Sequence, residues 1–164
     1  MSRVQLALNV SNIDEAVAFY SKLFNTEVNK RKPGYANFAI DEPPLKLVLI
    51  EGAGGGTLNH LGVEVETAEE VVAAEGRLSA DGVVTTGVDD TTCCYALKTE
   101  TWVSDPDGAP WEWYVKTGDA EQMTNSIRTG DEPTQCCAPT AVSESVAFES
   151  VAIGTGPATV TGCC

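Results

Sequence analysis

Gln5-Leu-Ala-Leu-Asn-Val-Ser-Asn-Ile-Asp-Glu-Ala-Val-Ala-Phe-Tyr-Ser-Lys-Leu23 aligns without a gap on His60-Leu-Gly-Val-Glu-Val-Glu-Thr-Ala-Glu-Glu-Val-Val-Ala-Ala-Glu-Gly-Arg-Leu78. Leu6/Leu61, Val10/Val65, Glu15/Glu70, Val17/Val72, Ala18/Ala73 and Leu23/Leu78 are identical, and Asp14/Glu69 and Lys22/Arg77 keep their charge. Two copies are too few for a solenoid, which needs three or more units to bury a core. They describe one domain made of two similar halves that face each other across a local two-fold axis. Gln5 and His60, which open the two copies, then hold equivalent places on either side of that axis, where a shared site can form.

The flanking sequence extends each copy into a βαβββ module. Val4–Val10 alternates, with Leu6, Leu8 and Val10 on one face and Gln5, Ala7 and Asn9 on the other,. Asn12 is placed to cap a helix, with Glu15 in the box position. Ile13, Ala16, Val17, Tyr20, Leu23 and Phe24 form its apolar stripe,. Strands are expected at Glu27–Arg31, Tyr35–Ile40 and Lys46–Glu51, separated by Pro/Gly-rich turns,. Gly52-Ala-Gly-Gly-Gly56 links the modules; no Lys-Ser/Thr follows it, so it is not a phosphate loop,. The second module reads as a strand at His60–Val65, a helix capped by Thr67 with Glu70 and closed by Asp81-Gly82, and strands at Val83–Val88, Thr99–Ser104 and Pro110–Lys116,. Asp89–Ala96 is expected to be a polar loop carrying Cys93-Cys94. The fold class is α+β: two βαβββ modules, 1–51 and 58–117, in one cupped mixed sheet. From Gly118 the chain turns rich in Thr, Ser, Gly, Pro and Ala, and residues 118–164 are expected to form a flexible tail with at most a short element at Val142–Ile153,.

The 164 residues carry a net charge of −14, which argues against nucleic acid and anionic membrane surfaces as partners,. No run approaches the ~20 apolar residues of a membrane span. The N-terminus lacks a basic stretch followed by an apolar one, so a cytoplasmic protein is expected. All six cysteines fall in adjacent pairs: Cys93-Cys94, Cys136-Cys137 and Cys163-Cys164. In a reducing compartment they are thiols. Two neighbouring thiolates make a short bidentate grip for a soft ion.

Along the last strand, Trp111, Trp113 and Val115 share one face, which belongs against the helices; Glu112 then points into the hollow with His60 and Gln5. A carboxylate between tryptophans is unwelcome unless it has a partner. Counting from the matching turn of the first module puts Val48 at the place equivalent to Glu112, and an apolar residue cannot ligate. A histidine, a carboxylate and an amide would leave open positions on a metal, as catalytic sites do. One carboxylate with two neutral donors suits non-haem Fe(II) that binds O2 and substrate together.

Gln5, Asn59-His60-Leu-Gly62, Thr91-Thr-Cys-Cys-Tyr-Ala96, Thr101-Trp-Val-Ser-Asp-Pro-Asp-Gly108 and Trp111-Glu-Trp113 resemble the carbon–arsenic lyases and related cadmium-induced proteins. These belong to the vicinal oxygen chelate superfamily of glyoxalase I, bleomycin-resistance proteins and extradiol dioxygenases. The resemblance covers roughly residues 3–116. It implies an Fe(II)-dependent dioxygenase that cleaves the C–As bond of trivalent organoarsenicals such as methylarsenite. Gln5, His60 and Glu112 match the metal ligands, and Cys93 and Cys94 the arsenic-binding pair. Gln5 is a weaker donor than the histidine common at that place. Cys136, Cys137, Cys163 and Cys164 are candidates for accessory arsenic capture, Tyr95 and Lys98 for pocket residues. A homodimer is the analogy this architecture offers. The competing reading is a non-catalytic protein that sequesters cadmium or arsenite; a glyoxalase-type isomerase is weakened by Val48.

Overall fold

A computed structural model describes residues 2–124, 126–129 and 132–135. The first module runs β1 (Arg3–Val10), α1 (Ile13–Phe24), β2 (Lys30–Lys32), β3 (Tyr35–Ile40), β4 (Leu45–Glu51). The second runs β5 (Thr57–Glu64), α2 (Ala68–Ala80), β6 (Asp89–Cys93), β7 (Ala96–Ser104), β8 (Pro110–Asp119). A hairpin of β9 (Ser126–Thr129) and β10 (Glu132–Gln135) follows. The first eight strands form one mixed sheet in the order β2-β3-β4-β1-β5-β8-β7-β6. The duplication is visible in it: β1 pairs parallel with β4, β5 pairs parallel with β8, and β1 and β5 meet antiparallel at the two-fold.

The helices cover the convex face because the alternation of the strands sends their apolar residues there. Leu47, Leu49, Ala36, Phe38 and Ile40 close over Ile13 and Val17 of α1. Val65, Val115 and the partly buried Trp113 pack on Val71 of α2. Asn12 caps α1, accepting from Asp14 N at 2.9 Å and Glu15 N at 3.1 Å. The full capping box forms at α2, where Thr67 and Glu70 exchange both bonds; at α1 the Ile13 amide donates to Glu51 of β4 at 3.1 Å. Among the described residues, no helix is long and apolar enough to cross a membrane.

The structure departs from the sequence reading around the cysteine pair. Val83–Val88, expected as a strand, lies outside regular structure. Gly87 takes φ +74, which breaks the extended run, and Val84 is exposed. The strand is instead Asp89–Cys93, expected as loop, pairing antiparallel with β7 from Asp89↔Glu100 to Cys93↔Ala96. The tight turn after Cys93 fixes that register, and β7 starts at Ala96, three residues earlier than expected, which takes in Lys98. β2 is likewise displaced, to Lys30–Lys32. Composition predicts a flexible segment from Gly118, yet β8 continues to Asp119 and the β9–β10 hairpin follows. Cys136, Cys137, Cys163, Cys164 and Val142–Ile153 lie outside the described residues.

Candidate active site

Gln5, His60 and Glu112 stand on β1, β5 and β8, three adjacent strands, and all point into the hollow of the cup. Each is at most 2% exposed. Their tips converge: Gln5 Nε2 lies 2.9 Å from His60 Nε2 and 3.0 Å from Glu112 Oε2, and His60 Nε2 lies 3.6 Å from Glu112 Oε2. Gly62 makes this approach feasible. It pairs with Gln5 on one side and Glu112 on the other, and a Cβ there would stand 3.0 Å from the Glu112 carbonyl oxygen and 3.4 Å from Gln5 Nε2. Gly62 corresponds to Ala7 in the repeat, and Ala7 pairs with Val48. Val48 is therefore the register equivalent of Glu112, in agreement with the count along the sequence.

A chain of amides sets the histidine. Thr57 Oγ1 accepts from Asn9 Nδ2 at 3.0 Å, Asn9 Oδ1 accepts from Asn59 Nδ2 at 2.8 Å, and Asn59 Oδ1 lies 2.7 Å from His60 Nδ1. A carbonyl oxygen only accepts, so the neutral imidazole carries its proton on Nδ1 and turns the Nε2 lone pair toward Gln5 and Glu112. Trp102 packs edge-on against the ring at 5.4 Å.

Lys98, 6% exposed, donates to Glu112 Oε1 at 2.5 Å. Burial would raise the Glu112 pKa, but the Lys98 ammonium outweighs it and holds the carboxyl well below the usual carboxylate range,. Burial pulls the other way on Lys98, and Glu112, Cys93 and Cys94 overcome it to push its ammonium well up. One buried cation thus faces both the carboxylate and the cysteine pair. Glu100, on the same face of β7, behaves oppositely. Its Oε1 accepts from Trp102 Nε1 at 2.9 Å, and its Oε2 is buried without a hydrogen-bond partner among the described residues. Burial, then the nearby Glu112 charge, push its pKa up to about 8.

Cys93 and Cys94 are 1% and 6% exposed, not bridged by a disulfide, with Sγ atoms 3.3 Å apart. They are packed with Ala7, Tyr35, Val48 and Ile50 of the first module. The hydrogen bond to Cys93, then burial, push the Cys94 thiol well up. Cys94 (φ +54) and Tyr95 (φ +60) are the two central residues of the β6–β7 turn, both left-handed. That turn normally selects Asn-Gly, and left-handed backbone costs about 1–2 kcal/mol per residue with a Cβ. The segment after β8 holds the turn in place: Cys94 N donates to Thr124 O at 2.8 Å, Tyr95 N to Gln122 O at 3.0 Å, and Ala120 N to Tyr95 O at 3.0 Å. Lys30 Nζ adds a bond to Tyr95 O at 2.6 Å. Backbone in this region persists only where the surrounding structure over-determines it. One cavity of about 150 Å³ is lined by Gln5, His60, Val48, Cys94, Lys98 and Tyr114 among others.

Residues 3–113 match the model of the Glyoxalase/Bleomycin resistance protein/Dioxygenase superfamily. The chain belongs to this superfamily. Cadmium-induced protein CadI of Mycobacterium tuberculosis is 53% identical over 142 residues, 84% of this chain and 93% of that one. A trivalent organoarsenical cleaving enzyme of Thermomonospora curvata is 52% identical over 141 residues, 85% of this chain and 90% of that one. Among solved structures, a variant of homoprotocatechuate 2,3-dioxygenase from B. fuscum superposes with a TM-score of 0.53 at 23% identity, over 73% of this chain and 33% of that one; it speaks for the fold alone.

Superfamily membership raises the question of a divalent metal, and the donor set answers it. Among the described residues, no group of three or more His, Cys, Asp or Glu is placed to hold a metal ion; the convergent set owes its third donor to an amide. Donors ~2.0–2.2 Å from one ion at right angles stand ~3 Å apart, and the observed separations of 2.9, 3.0 and 3.6 Å bracket that spacing. Lys98 occupies Glu112 Oε1 and leaves Oε2, so the carboxylate would bind through one oxygen. Gln5 Oε1 accepts from the Tyr114 hydroxyl at 2.5 Å. A half-turn of the amide would aim Oε1 at the site and let Nε2 donate to the same hydroxyl, which also accepts. The residues fit such an ion.

The sequence reading missed Asn59, Glu100, Tyr114 and the 120–124 segment, and drew Lys98 only as a pocket residue. Starting β7 at Ala96 would have brought Lys98 into the strand that pairs with β8 and carries Trp102 opposite Glu112. Nothing local in Ala120–Thr124 announces its contacts.

Proposed function

We propose that this protein is a non-haem Fe(II)-dependent dioxygenase that cleaves the carbon–arsenic bond of trivalent organoarsenicals such as methylarsenite, giving inorganic arsenite, as an arsenic-detoxifying enzyme of the cytoplasm. One observation carries the reading. Gln5 and His60 of the metal-competent trio line one cavity with Cys94 of the buried thiol pair, and Lys98, which lines it too, holds the third member, Glu112. The relative named a trivalent organoarsenical cleaving enzyme supports the substrate class.

Cys93 and Cys94 would take the arsenical by exchange: CH3As(OH)2 and two thiols give CH3As(S-Cys)2 and two waters. The leaving hydroxyls accept the thiol protons, so a raised Cys94 pKa does not block capture. Two bonds to arsenic leave the methyl group as its third substituent, and fixing it supplies proximity and orientation. Iron held by His60, Glu112 and Gln5 would supply oxygen activation at its open positions. Lys98 holds Glu112 ionised and gives the thiol pair a neighbouring positive charge. Tyr114 and Asn59 fix the amide and imidazole orientations,. The two waters set free on capture are taken up again when arsenite leaves the thiols, and the overall balance closes on one O2: CH3As(OH)2 + O2 gives As(OH)3 + HCHO. The Cys136-Cys137 and Cys163-Cys164 pairs are proposed as accessory capture sites.

The cadmium-induced relative favours a second reading, a soft-metal binding resistance protein without turnover. Two variants separate them. Glu112→Ala should abolish arsenite release while arsenical binding persists, and Cys93→Ser should lose arsenical binding while iron binding persists. Unchanged turnover in Glu112→Ala contradicts the metal assignment, and arsenical binding without release in the unsubstituted protein favours the binder.

A further inference from the structure

The cavity is electropositive in a strongly acidic chain. The protein has ten Lys and Arg residues and a net charge of −14, yet Arg3, Lys30, Lys46, Lys98 and Lys116 all line this one cavity, where Glu64 is the sole lining carboxylate among the described residues. They are not neutralised one for one. Arg3 and Lys46 share Glu64, at 2.5 and 2.6 Å. Lys30 and Lys116 share Asp119, at 2.5 and 2.9 Å. Lys98 pairs with Glu112 alone. Five cations thus divide three carboxylates, and the surplus sits in the two groups that flank the thiol pair and the metal-competent trio. Each lysine ammonium keeps donor capacity beyond these bonds. A concave site with such a surplus focuses its field outward and draws anions against the repulsion of the acidic exterior.

A neutral methylarsenite would not use this arrangement. We propose that the cavity takes arsenicals that carry a carboxylate, seated on the surplus cations of the Arg3–Lys46 and Lys30–Lys116 groups while arsenic exchanges onto Cys93 and Cys94. The inference rests on the proposed function and names its substrate class. The carboxylate has two sources: the organic substituent on arsenic, or a small thiol acid that delivers it. In the second case the exchange is R–As(SR')2 plus two cysteine thiols giving R–As(S-Cys)2 plus two R'SH, with no change in oxidation state.

The test uses the full-length iron-loaded protein in air, with kcat/KM from arsenite release and Kd from quenching of tryptophan fluorescence. One arm compares para-carboxyphenylarsenous acid with its neutral carboxamide. The other compares methylarsenite presented as its bis-mercaptoacetate and bis-mercaptoethanol adducts. A preference for the carboxylate of about tenfold or more is expected in at least one arm, falling toward unity as salt is raised from about 20 mM to about 500 mM. A preference in the first arm alone assigns the substituent, and in the second alone the carrier. Lys46→Met should cut the preference several-fold. Lys116→Gln, on a half-exposed side chain, should also cut it, and it keeps the test alive if the buried variant fails to fold. Equal constants within each pair, or a preference indifferent to salt and to Lys116→Gln, overturn the inference. If arsenite is released without a preference, only the inference falls. If no substrate releases arsenite, the proposed function falls, and the Kd ratios decide the inference.

Discussion

Replacing Lys98 by methionine removes a cation hydrogen-bonded to a carboxylate with a fully buried side chain. The pair is 2.5 Å apart, with side chains 6% and 0% exposed. Methionine keeps the length and the apolar stem, so the principal loss is charge. Removing one partner of a buried pair leaves the other uncompensated and costs about 3–5 kcal/mol, on the order of 10–20 °C in Tm for a domain this size. The pH dependence follows from the sign of the shift. In the unsubstituted protein the depressed Glu112 pKa stabilises the fold above its unfolded value of ~4.3, and that contribution fades as pH falls through the lower folded value,. In Lys98→Met, burial prevails and the folded pKa of Glu112 rises above ~4.3. The carboxylate then destabilises above the unfolded value, and protonation relieves it as pH falls. Urea denaturation of metal-free protein should show the full deficit at pH 7 and a much smaller one near pH 4.5. Lys98→Met/Glu112→Gln should recover most of the loss at pH 7. A deficit below about 1 kcal/mol at pH 7, or one that grows on acidification, refutes the reasoning.

Further expectations concern the neighbours of the site. Asn59→Leu removes the acceptor that fixes His60 Nδ1–H and should weaken iron or cobalt binding ~10–100-fold in a chelator competition, with little change in arsenical binding. Gly62→Ala puts a methyl group 3.4 Å from Gln5 Nε2 and 3.0 Å from the Glu112 carbonyl; metal affinity should fall on the order of tenfold, and unaltered affinity would show that the amide is not a ligand. Glu100, with its pKa raised to about 8, binds a proton more tightly folded than unfolded. Stability present below ~4.3 is therefore lost as pH rises toward about 8. Glu100→Gln should gain on the unsubstituted protein between pH 5 and pH 8 in thermal melts, and an equal Tm difference at both pH values would deny the shift.

What the sequence disclosed, and what it withheld, follows from range. The repeat names Gln5 and His60 as equivalents because it is an uninterrupted local pattern, and strict alternation places Glu112 opposite the tryptophans. Those three positions required only period two and a duplication. Val48 followed from counting, and the pairing Ala7↔Val48 against Gly62↔Glu112 reproduces it. The apolar run Val83–Val88 misled because periodicity says nothing of a partner strand; the Thr91-Thr92-Cys93 stretch had β7 to pair with. The left-handed turn at Cys94-Tyr95 contradicts local preference and is held by backbone bonds from residues 120–124. Composition reads that segment as tail, since its contacts lie in main-chain groups that every residue carries. Lys98 escaped for a related reason: its place in the strand beside β8, from which its ammonium reaches Glu112, depends on where β7 begins, which the turn decides.

The central claim is that oxygen chemistry and arsenic capture occur in one cavity. Its most direct measurement loads the protein with Fe(II) and one equivalent of methylarsenite under nitrogen, then admits a measured amount of O2. Arsenite and formaldehyde should each appear one for one with O2 consumed, and neither before oxygen is admitted. Methylarsenite that stays bound and intact after oxygen is admitted, or arsenite released with oxygen excluded, would contradict it.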